Sequence, residues 1–408
     1  MLKISKLLPI AAFIAFNSYT VPVFSQTVSV GELNGQMNYI PTAVPFLTID
    51  PESRGGALGD AGVATSQDVN SMHWNPAKYA FIQNNSGIAV SYSPWLRNLG
   101  ISDIDLAYLT GYLRISKDQV IASSFRYFSL GQLTFTDNVG NTLKTANPNE
   151  FAFDAGYSRL FSEHFSGAVA FRYIRSDLGQ GTQVEGVDVI AGQSFAADIA
   201  AYYNKAIKLG DKNGKLALGL DISNMGNKMY YTADQKTKDF IPTNLRLGVA
   251  VSADLDEYNS MTVTMDFNKL LVPTPPIYYT TKGGQDSVDL NNNPVIQSGK
   301  NPNVSVLTGM IQSFYDAPGG FQEELQEITY SIGAEYWYRK QFALRTGYFH
   351  EAASKGNRKY ATFGVGLKLN VIGFDFSYLV ANEANPLANT LRFTISLDFD
   401  ALRKQKST

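Results

Sequence analysis

The sequence predicts an all-β protein: a transmembrane antiparallel β-barrel of about fourteen strands with an N-terminal hatch inside its lumen. Three observations carry that expectation. The chain starts like a secreted protein, it alternates apolar with polar or small residues in segment after segment, and the connections between those segments alternate short with long.

The start reads as a signal peptide over residues 1–25. Lys3 and Lys6 form a basic beginning, an apolar run follows from Leu7 to Phe16, and Val23-Phe24-Ser25 precedes Gln26, so cleavage is expected after Ser25. The run is shorter than the roughly 20 residues a spanning helix needs, and no later stretch qualifies. A membrane-embedded chain must then cross with strands, because an open backbone cannot satisfy its polar groups in lipid.

The alternating segments begin near Ser86 and lie near residues 87–96, 102–115, 119–130, 149–161, 164–178, 194–209, 214–223, 241–254, 258–271, 325–339, 341–351, 358–369, 371–381 and 389–399. In the last of them Leu391, Phe393, Ile395, Leu397 and Phe399 share one face, while Arg392, Thr394, Ser396 and Asp398 share the other. That two-residue period is the signature of a strand with two different surroundings.

Tight turns are expected at Ser116-Lys117-Asp118, Ser162-Glu163-His164, Asp211 to Gly214, Asp254 to Glu257, Arg339-Lys340 and around Asn370. Between them come longer stretches rich in Gly, Asn, Pro and Thr, near 131–148, 179–193, 224–240, 272–324, 352–357 and 382–388. Outer-membrane barrels pair short periplasmic turns with long external loops, so the parity places the protein in the outer membrane with both termini periplasmic.

Composition agrees. Only 17% of residues are charged, 12% are aromatic, and there are 34 glycines. A net charge of −2 gives no general attraction to nucleic acid, and the absence of cysteine excludes disulfides and thiolate metal or redox centres. A basic residue facing lipid at mid-membrane costs about 2–4 kcal/mol. Arg126, Arg172, Arg246, Arg345 and Arg392 are therefore expected to face the lumen, with Asp105, Asp154, Asp198, Asp221, Asp266, Glu335 and Asp375. A lumen carrying both signs suits a filled barrel better than an open ion pore. Phe171, Tyr173, Tyr336, Tyr338 and Tyr348 are expected outward near strand ends, as interfacial girdles.

Residues from about Val28 to Asn85 do not alternate. The run Arg54-Gly55-Gly56-Ala57-Leu58-Gly59-Asp60-Ala61-Gly62 is packed with small side chains, which suits backbone threaded through a confined space. No strand precedes it and no P-loop Lys-Ser/Thr pair follows, so a nucleotide site is not supported. In His73-Trp74-Asn75-Pro76-Ala77, Asn75 and Pro76 are expected to form a turn with the Asn side chain bonded locally. The chain thus divides into a leader (1–25), a hatch segment (26–85), a barrel (86–400) and a short tail (401–408).

With these features together, the sequence resembles the FadL-like outer-membrane barrel family. The stretch from Pro41 through Ile82, with Ala43-Val44-Pro45-Phe46-Leu47-Thr48-Ile49 and the small-residue run, is similar to the PorV–PorQ branch found in the type IX secretion system of Bacteroidetes-type bacteria. The likeness spans essentially the whole mature chain, and one departure is the short charged tail after Phe399. It implies a carrier, not an enzyme. Such proteins accept secreted proteins bearing a C-terminal signal domain at a giant translocon barrel of the SprA or Sov type. They hand them to a surface complex containing a sortase, which attaches the cargo to lipopolysaccharide. The hatch motif would comprise Arg54, Gly55, Gly56, Gly59, Asp60, Asn75, Pro76 and Ala77.

External rings are common binding hot spots. Trp95, Tyr230, Tyr231, Tyr278, Tyr279, Phe314 and Tyr315 are accordingly the candidate contacts for cargo or translocon, against the alternative that they pack over the barrel mouth or in the headgroup belt. The only histidines, His73, His164 and His350, fall in the hatch, a short turn and an external strand end. No catalytic, cofactor or metal site is expected from them, and Asp286 and Asp289 do not make an EF-hand loop. Two rival readings remain: a FadL-like transporter of hydrophobic small molecules, with an apolar cavity under the loops, and a lipid A deacylase with a Ser-His pair at the membrane surface.

Overall fold

The computed structural model describes residues 37–406 apart from 98–99, 137–138, 185–186, 236, 281–286, 291–292 and 382–388. The leader, the first part of the hatch segment (26–36), Asp286 and the 382–388 loop lie outside the described residues.

Fourteen antiparallel strands close into a barrel. In chain order they are β1 (Ser86–Pro94), β2 (Ile104–Arg114), β3 (Gln119–Leu130), β4 (Asn149–Ser162), β5 (Phe165–Asp177), β6 (Gly192–Leu209), β7 (Lys212–Gly226), β8 (Asn244–Asp254), β9 (Asn259–Leu270), β10 (Thr329–Tyr338), β11 (Phe342–His350), β12 (Lys359–Lys368), β13 (Ile372–Ala381) and β14 (Leu391–Asp398). Each pairs with its sequence neighbours, and β14 returns to β1 with Ile88 opposite Leu397, Val90 opposite Ile395 and Tyr92 opposite Phe393. The ring leaves no free edge, as a strand-built membrane protein requires. No described helix is long and apolar enough to cross a membrane.

Side chains sort by parity. Leu109, Phe125, Val169, Phe195, Leu218, Val263 and Phe363 are exposed on the outer wall, while Arg126, Arg172, Arg246, Arg345 and Arg392 are buried inside it. Asp105 departs from expectation. It shares the outward parity of Ala107 and Leu109, and at its strand end it accepts hydrogen bonds from Tyr92 Oη at 2.6 Å and Arg97 at 3.1 Å. At that height a charge with partners and water does not pay the mid-membrane penalty. Phe171 also departs, since it faces outward but sits mid-strand opposite Ala155 and Ala197. Tyr338 and Tyr348 are exposed at strand ends, and Tyr173 and Tyr336 are half-buried in the same outward rows.

Strand bounds lie within a few residues of the expected segments; the expected 325–339 starts late, because Phe321–Gln326 is helical and β10 begins at Thr329, and two further differences are local. The turn near 211–214 is tighter, because β6 and β7 run on to Leu209 and Lys212. Phe399 begins a helix, Phe399–Lys406, instead of ending β14; Asp398 turns the chain by accepting from the backbone N–H groups of Asp400 and Ala401.

Candidate functional site

The bore is filled by residues 43–82. Their elements are short: a 3-10 turn Pro45–Thr48, a helical turn Ser53–Gly56, a second at Ser71–Trp74 and a 3-10 stretch Pro76–Phe81. The first helical turn is capped by Glu52, whose carboxylate accepts from Arg54 N at 2.6 Å, Gly55 N at 2.6 Å and the Trp74 indole N–H at 3.0 Å. The small residues explain the packing. A Cβ on Gly55 or Gly62 would stand 2.2 Å from a ring carbon of Trp74, so the indole lies between two backbone strips that only glycine allows. Gly59 adopts φ +73° and lies on the Tyr348 backbone, where any side chain would be strained as well as blocked. Asn75 caps Ala77 N at 3.0 Å through Oδ1, and its Nδ2 donates to Val63 O at 3.1 Å and Ala201 O at 3.0 Å. One amide thereby ties the turn to itself, to the small-residue run and to the wall. Pro76 opens the 3-10 stretch, where its missing N–H costs nothing.

The inward charges hold this segment. Arg54 places Nε 2.9 Å and Nη2 2.8 Å from the Glu335 carboxylate, and Nη1 2.8 Å from Asp68. Glu335 also accepts from Arg345 Nε at 2.7 Å, and Arg345 continues to Asp375 at 2.6 Å. Asp266 accepts the Gly62 and Val63 N–H groups at 2.6 and 2.9 Å. Arg126 donates to Leu47 O at 2.9 Å and contacts His73 Nδ1 at 2.6 Å; Arg246 donates to His73 O at 2.6 Å. Arg392 lies 3.4 Å from Asp60, which also accepts from Tyr360 Oη. These ion pairs and hydrogen bonds between segment and wall favour one arrangement of the two.

Two spaces flank the filling. Beneath the long loops is a cavity of about 400 Å³ whose lining includes Asp50, Asp60, Trp74, Arg246, Glu351 and Arg358. On the short-turn side a cavity of about 460 Å³ touches Arg54, Asp68, Tyr112, Trp337 and Lys340. The filling also has a direction. Asn38 N donates to Ser354 O at 2.9 Å, its amide to Pro275 O at 3.2 Å and Glu323 at 3.0 Å, and Ala43 N to Phe240 O at 2.8 Å. The described chain therefore enters at the long-loop end and leaves at the short-turn end, where Asn85 meets Asp400. Both termini were expected in the periplasm; the N-terminus lies outside the described residues, and the C-terminal helix lies at the short-turn end.

In the longest connection, residues 271–328, side-chain ion pairs tie the described part to the rim. Lys269 lies 3.0 Å from Glu324 and 2.6 Å from Glu327; Lys355 lies 2.6 Å from Glu323 and 3.0 Å from Glu327. Thr274 Oγ1 donates to Glu327 at 2.6 Å and Gln312 Nε2 to Asp316 at 3.3 Å. Burial pushes the Asp316 carboxyl up to about 6, against the Gln312 and Thr274 hydrogen bonds that lower it. Hydrogen bonds from Lys355, Gly319 and Asn38, with the Lys355 charge, hold Glu323 below the usual carboxylate range despite its partial burial. Sequence reasoning missed this clamp; the acidic run Glu323, Glu324, Glu327 was its only visible sign.

The seven candidate aromatics separate. Tyr279, Phe314 and Tyr315 are exposed, and the Lys300 ammonium sits 3.8 Å from the Tyr315 ring. Tyr278 belongs to a small hairpin, Ile277–Tyr278 with Ile296–Ser298. Tyr230 is half-buried under Lys238. Trp95 and Tyr231 turn inward. Trp95 packs edge-on to Phe128 at 5.8 Å, Tyr231 donates to Ser176 Oγ at 3.1 Å, and both lean on the cluster that holds Phe46 and Leu47. His73 sits in the lumen and His350 beside the Tyr330 and Tyr348 rings, so these two are not brought together.

Among solved structures, the chain is similar to a FadL homologue from Pseudomonas aeruginosa (11% identity, 86% of this chain and 99% of that chain covered, TM-score 0.44). It is also similar to the Pseudomonas putida toluene transporter TodX (11%, 85% and 97%, 0.43) and to the Ralstonia pickettii toluene transporter TbuX (10%, 85% and 96%, 0.42). No curated protein matches it in sequence. The family model described as "Type IX secretion system protein PorV" matches residues 32–277, more than half of the chain and the whole described luminal segment. The chain belongs to the PorV family of type IX secretion system proteins, as an outer-membrane β-barrel component.

Proposed function

We propose that this barrel binds secreted proteins through their C-terminal signal domain at the translocon and carries them to the sortase-containing attachment complex at the cell surface. The observation that carries the reading is the filled bore. Guanidinium, carboxylate and indole groups of wall and filling are mutually engaged, which suits a protein that works by its outer surfaces and must not leak. Tyr279 and Tyr315, exposed on a loop fixed by the Lys269 and Lys355 ion pairs, are the best-placed contacts for cargo or translocon. Residues 1–25 act as the cleaved leader and the short turns face the periplasm. Deleting the gene tests the reading: signal-domain cargo should fail to reach and stay on the cell exterior. Normal surface attachment in the deletion strain would overturn it. Tyr279→Ala with Tyr315→Ala should reduce co-purification of cargo and translocon from detergent-solubilised membranes while the barrel still folds.

One observation favours a second reading, transport of a hydrophobic small molecule: the cavity beneath the long loops is large enough for one. Its lining is mixed: Ile40, Leu270 and Phe349 would suit an apolar guest, whereas Asp50, Asp60, Glu351 and Arg358 place charge on the same walls. Calorimetric titration with toluene and a long-chain fatty acid separates the two; saturable binding to the purified barrel would favour the transporter.

A further inference from the structure

The helix Val306–Gln312 of the long connection is built inside out. Its buried side carries Gly309 and Gln312, followed by Ser313 and Asp316. Its open side carries Leu307 (72% exposed), Ile311 (65%) and, just beyond its end, Phe314 (51%). The spacing of four and then three residues puts these on one stripe. The orientation is fixed from beneath: a Cβ on Gly309 would stand 2.9 Å from the Phe240 ring, and Gln312 is tied to Asn301 O at 3.0 Å and to Asp316. A polar face packed inward and an apolar stripe left outward is a surface that something apolar covers.

The wall next to the stripe identifies the cover. Along β9 the outward rungs are Met265, Phe267 and Lys269, since Asp266 and Asn268 pair with Gly248 and Arg246 on the luminal parity. Phe267 belongs to the outward aromatic row at this rim, with Tyr330 at 5.7 Å and His350 a further 6.3 Å along. Lys269 stands one rung above Phe267, and the Phe314 ring lies 5.9 Å from its ammonium. The connection thus runs from the mouth, where Asn38 and Lys355 hold Glu323, to the outward parity of the rim, where the Phe314 end of its stripe stands beside Lys269, one rung above the aromatic row. Glu324 and Glu327 neutralise the one cation on that rung, as a site close to lipid requires.

We propose that Leu307, Ile311 and Phe314 seat in the outer leaflet, at the boundary between lipid headgroups and acyl chains, and anchor the long connection to the membrane surface. The assignment separates Phe314, turned to lipid, from Tyr279 and Tyr315, and it does not depend on what the protein carries.

Because the chain has no cysteine, single nitroxide labels test this without background. Leu307→Cys, Ile311→Cys and Phe314→Cys are labelled, reconstituted into vesicles of phosphatidylethanolamine and phosphatidylglycerol, and compared with a label at Leu290→Cys, a fully exposed position of the same connection. Heat-modifiable gel migration verifies that each variant forms the barrel. Collision with oxygen relative to a water-soluble nickel complex should be several-fold higher at the three stripe positions than at 290. Equal, water-like collision at all four positions overturns the proposal. So does shielding that appears only when membrane extract containing the translocon is added, which would make the stripe a protein-docking face.

Discussion

The Arg54 guanidinium, on the luminal segment, lies fork to fork against the Glu335 carboxylate of the wall, with Nε and Nη2 at 2.9 and 2.8 Å. Arg345 approaches the same carboxylate from the wall at 2.7 Å. One acid therefore serves two buried cations, and its removal leaves Arg54 with Asp68 alone and Arg345 with Asp375 alone.

Glu335→Ala should loosen the filling by about 3–5 kcal/mol, the usual cost of breaking a buried pair from one side. The expected readout is increased single-channel conductance in planar bilayers together with new protease cleavage between residues 43 and 82. Glu335→Gln, which keeps hydrogen-bond acceptance without the charge, should fall between it and the parent. Unchanged conductance in Glu335→Ala would show that the ion chain does not hold the filling.

The Trp74 sandwich predicts a steric cost without any change in charge. Gly62→Ala places a methyl group in the indole ring and should lower stability by about 1–3 kcal/mol, the range for overpacked cores. A fall in the temperature at which the folded band disappears on heat-modifiable gels checks this. In a Trp74→Ala background the further cost of Gly62→Ala should shrink, because the clash is gone.

The course of the luminal segment makes a topological prediction. Met37 is exposed at the long-loop end, whereas Lys117 lies in a short turn. Met37→Cys should react with a membrane-impermeant maleimide on intact cells, and Lys117→Cys only after the outer membrane is opened. The reverse pattern would invert the assignment of sides.

The long connection should be pH-sensitive in a defined direction. Asp316 has a folded pKa of about 6, above the ordinary 3.8. Folding therefore takes up a proton between these values, and the contribution is present in acid and lost as pH rises through about 6. Glu323 is shifted the other way, so its contribution is lost in acid. Hydrogen-exchange protection across 271–328 should therefore be higher near pH 5 than at pH 8. Asp316→Asn should flatten that difference. A parent protein with equal protection at both values would contradict the assignment.

The barrel was legible because lipid on one side and a wet, filled bore on the other impose a two-residue sorting that survives in sequence, as Leu391 to Asp398 illustrates. Arg126, Arg246 and Arg392 could be placed inside for the same reason. Asp105 escaped because parity alone does not distinguish mid-membrane from a strand end with water and an Arg97 partner. The long connection escaped more fully. In Leu307, Ile311 and Phe314 the apolar stripe is readable, but a stripe is ordinarily taken to face inward, and only the structure reveals Gly309 and Gln312 beneath it. The direction of the luminal segment depends on contacts such as Asn38 with Ser354, more than three hundred residues apart, for which no local pattern exists.

Strand β14 bears on how the molecule is made. Arg392 and Thr394 reach into the bore from it, the latter accepting from Ser53 N at 3.0 Å and bonding the Ser91 hydroxyl of β1 at 2.8 Å. The last strand to emerge from the ribosome thus joins the first strand and grips the filling with the same hydroxyl. Seam and filling share one side chain, and a ring zipped shut around an empty bore would leave the Thr394 hydroxyl without Ser53 and the Arg392 guanidinium without Asp60.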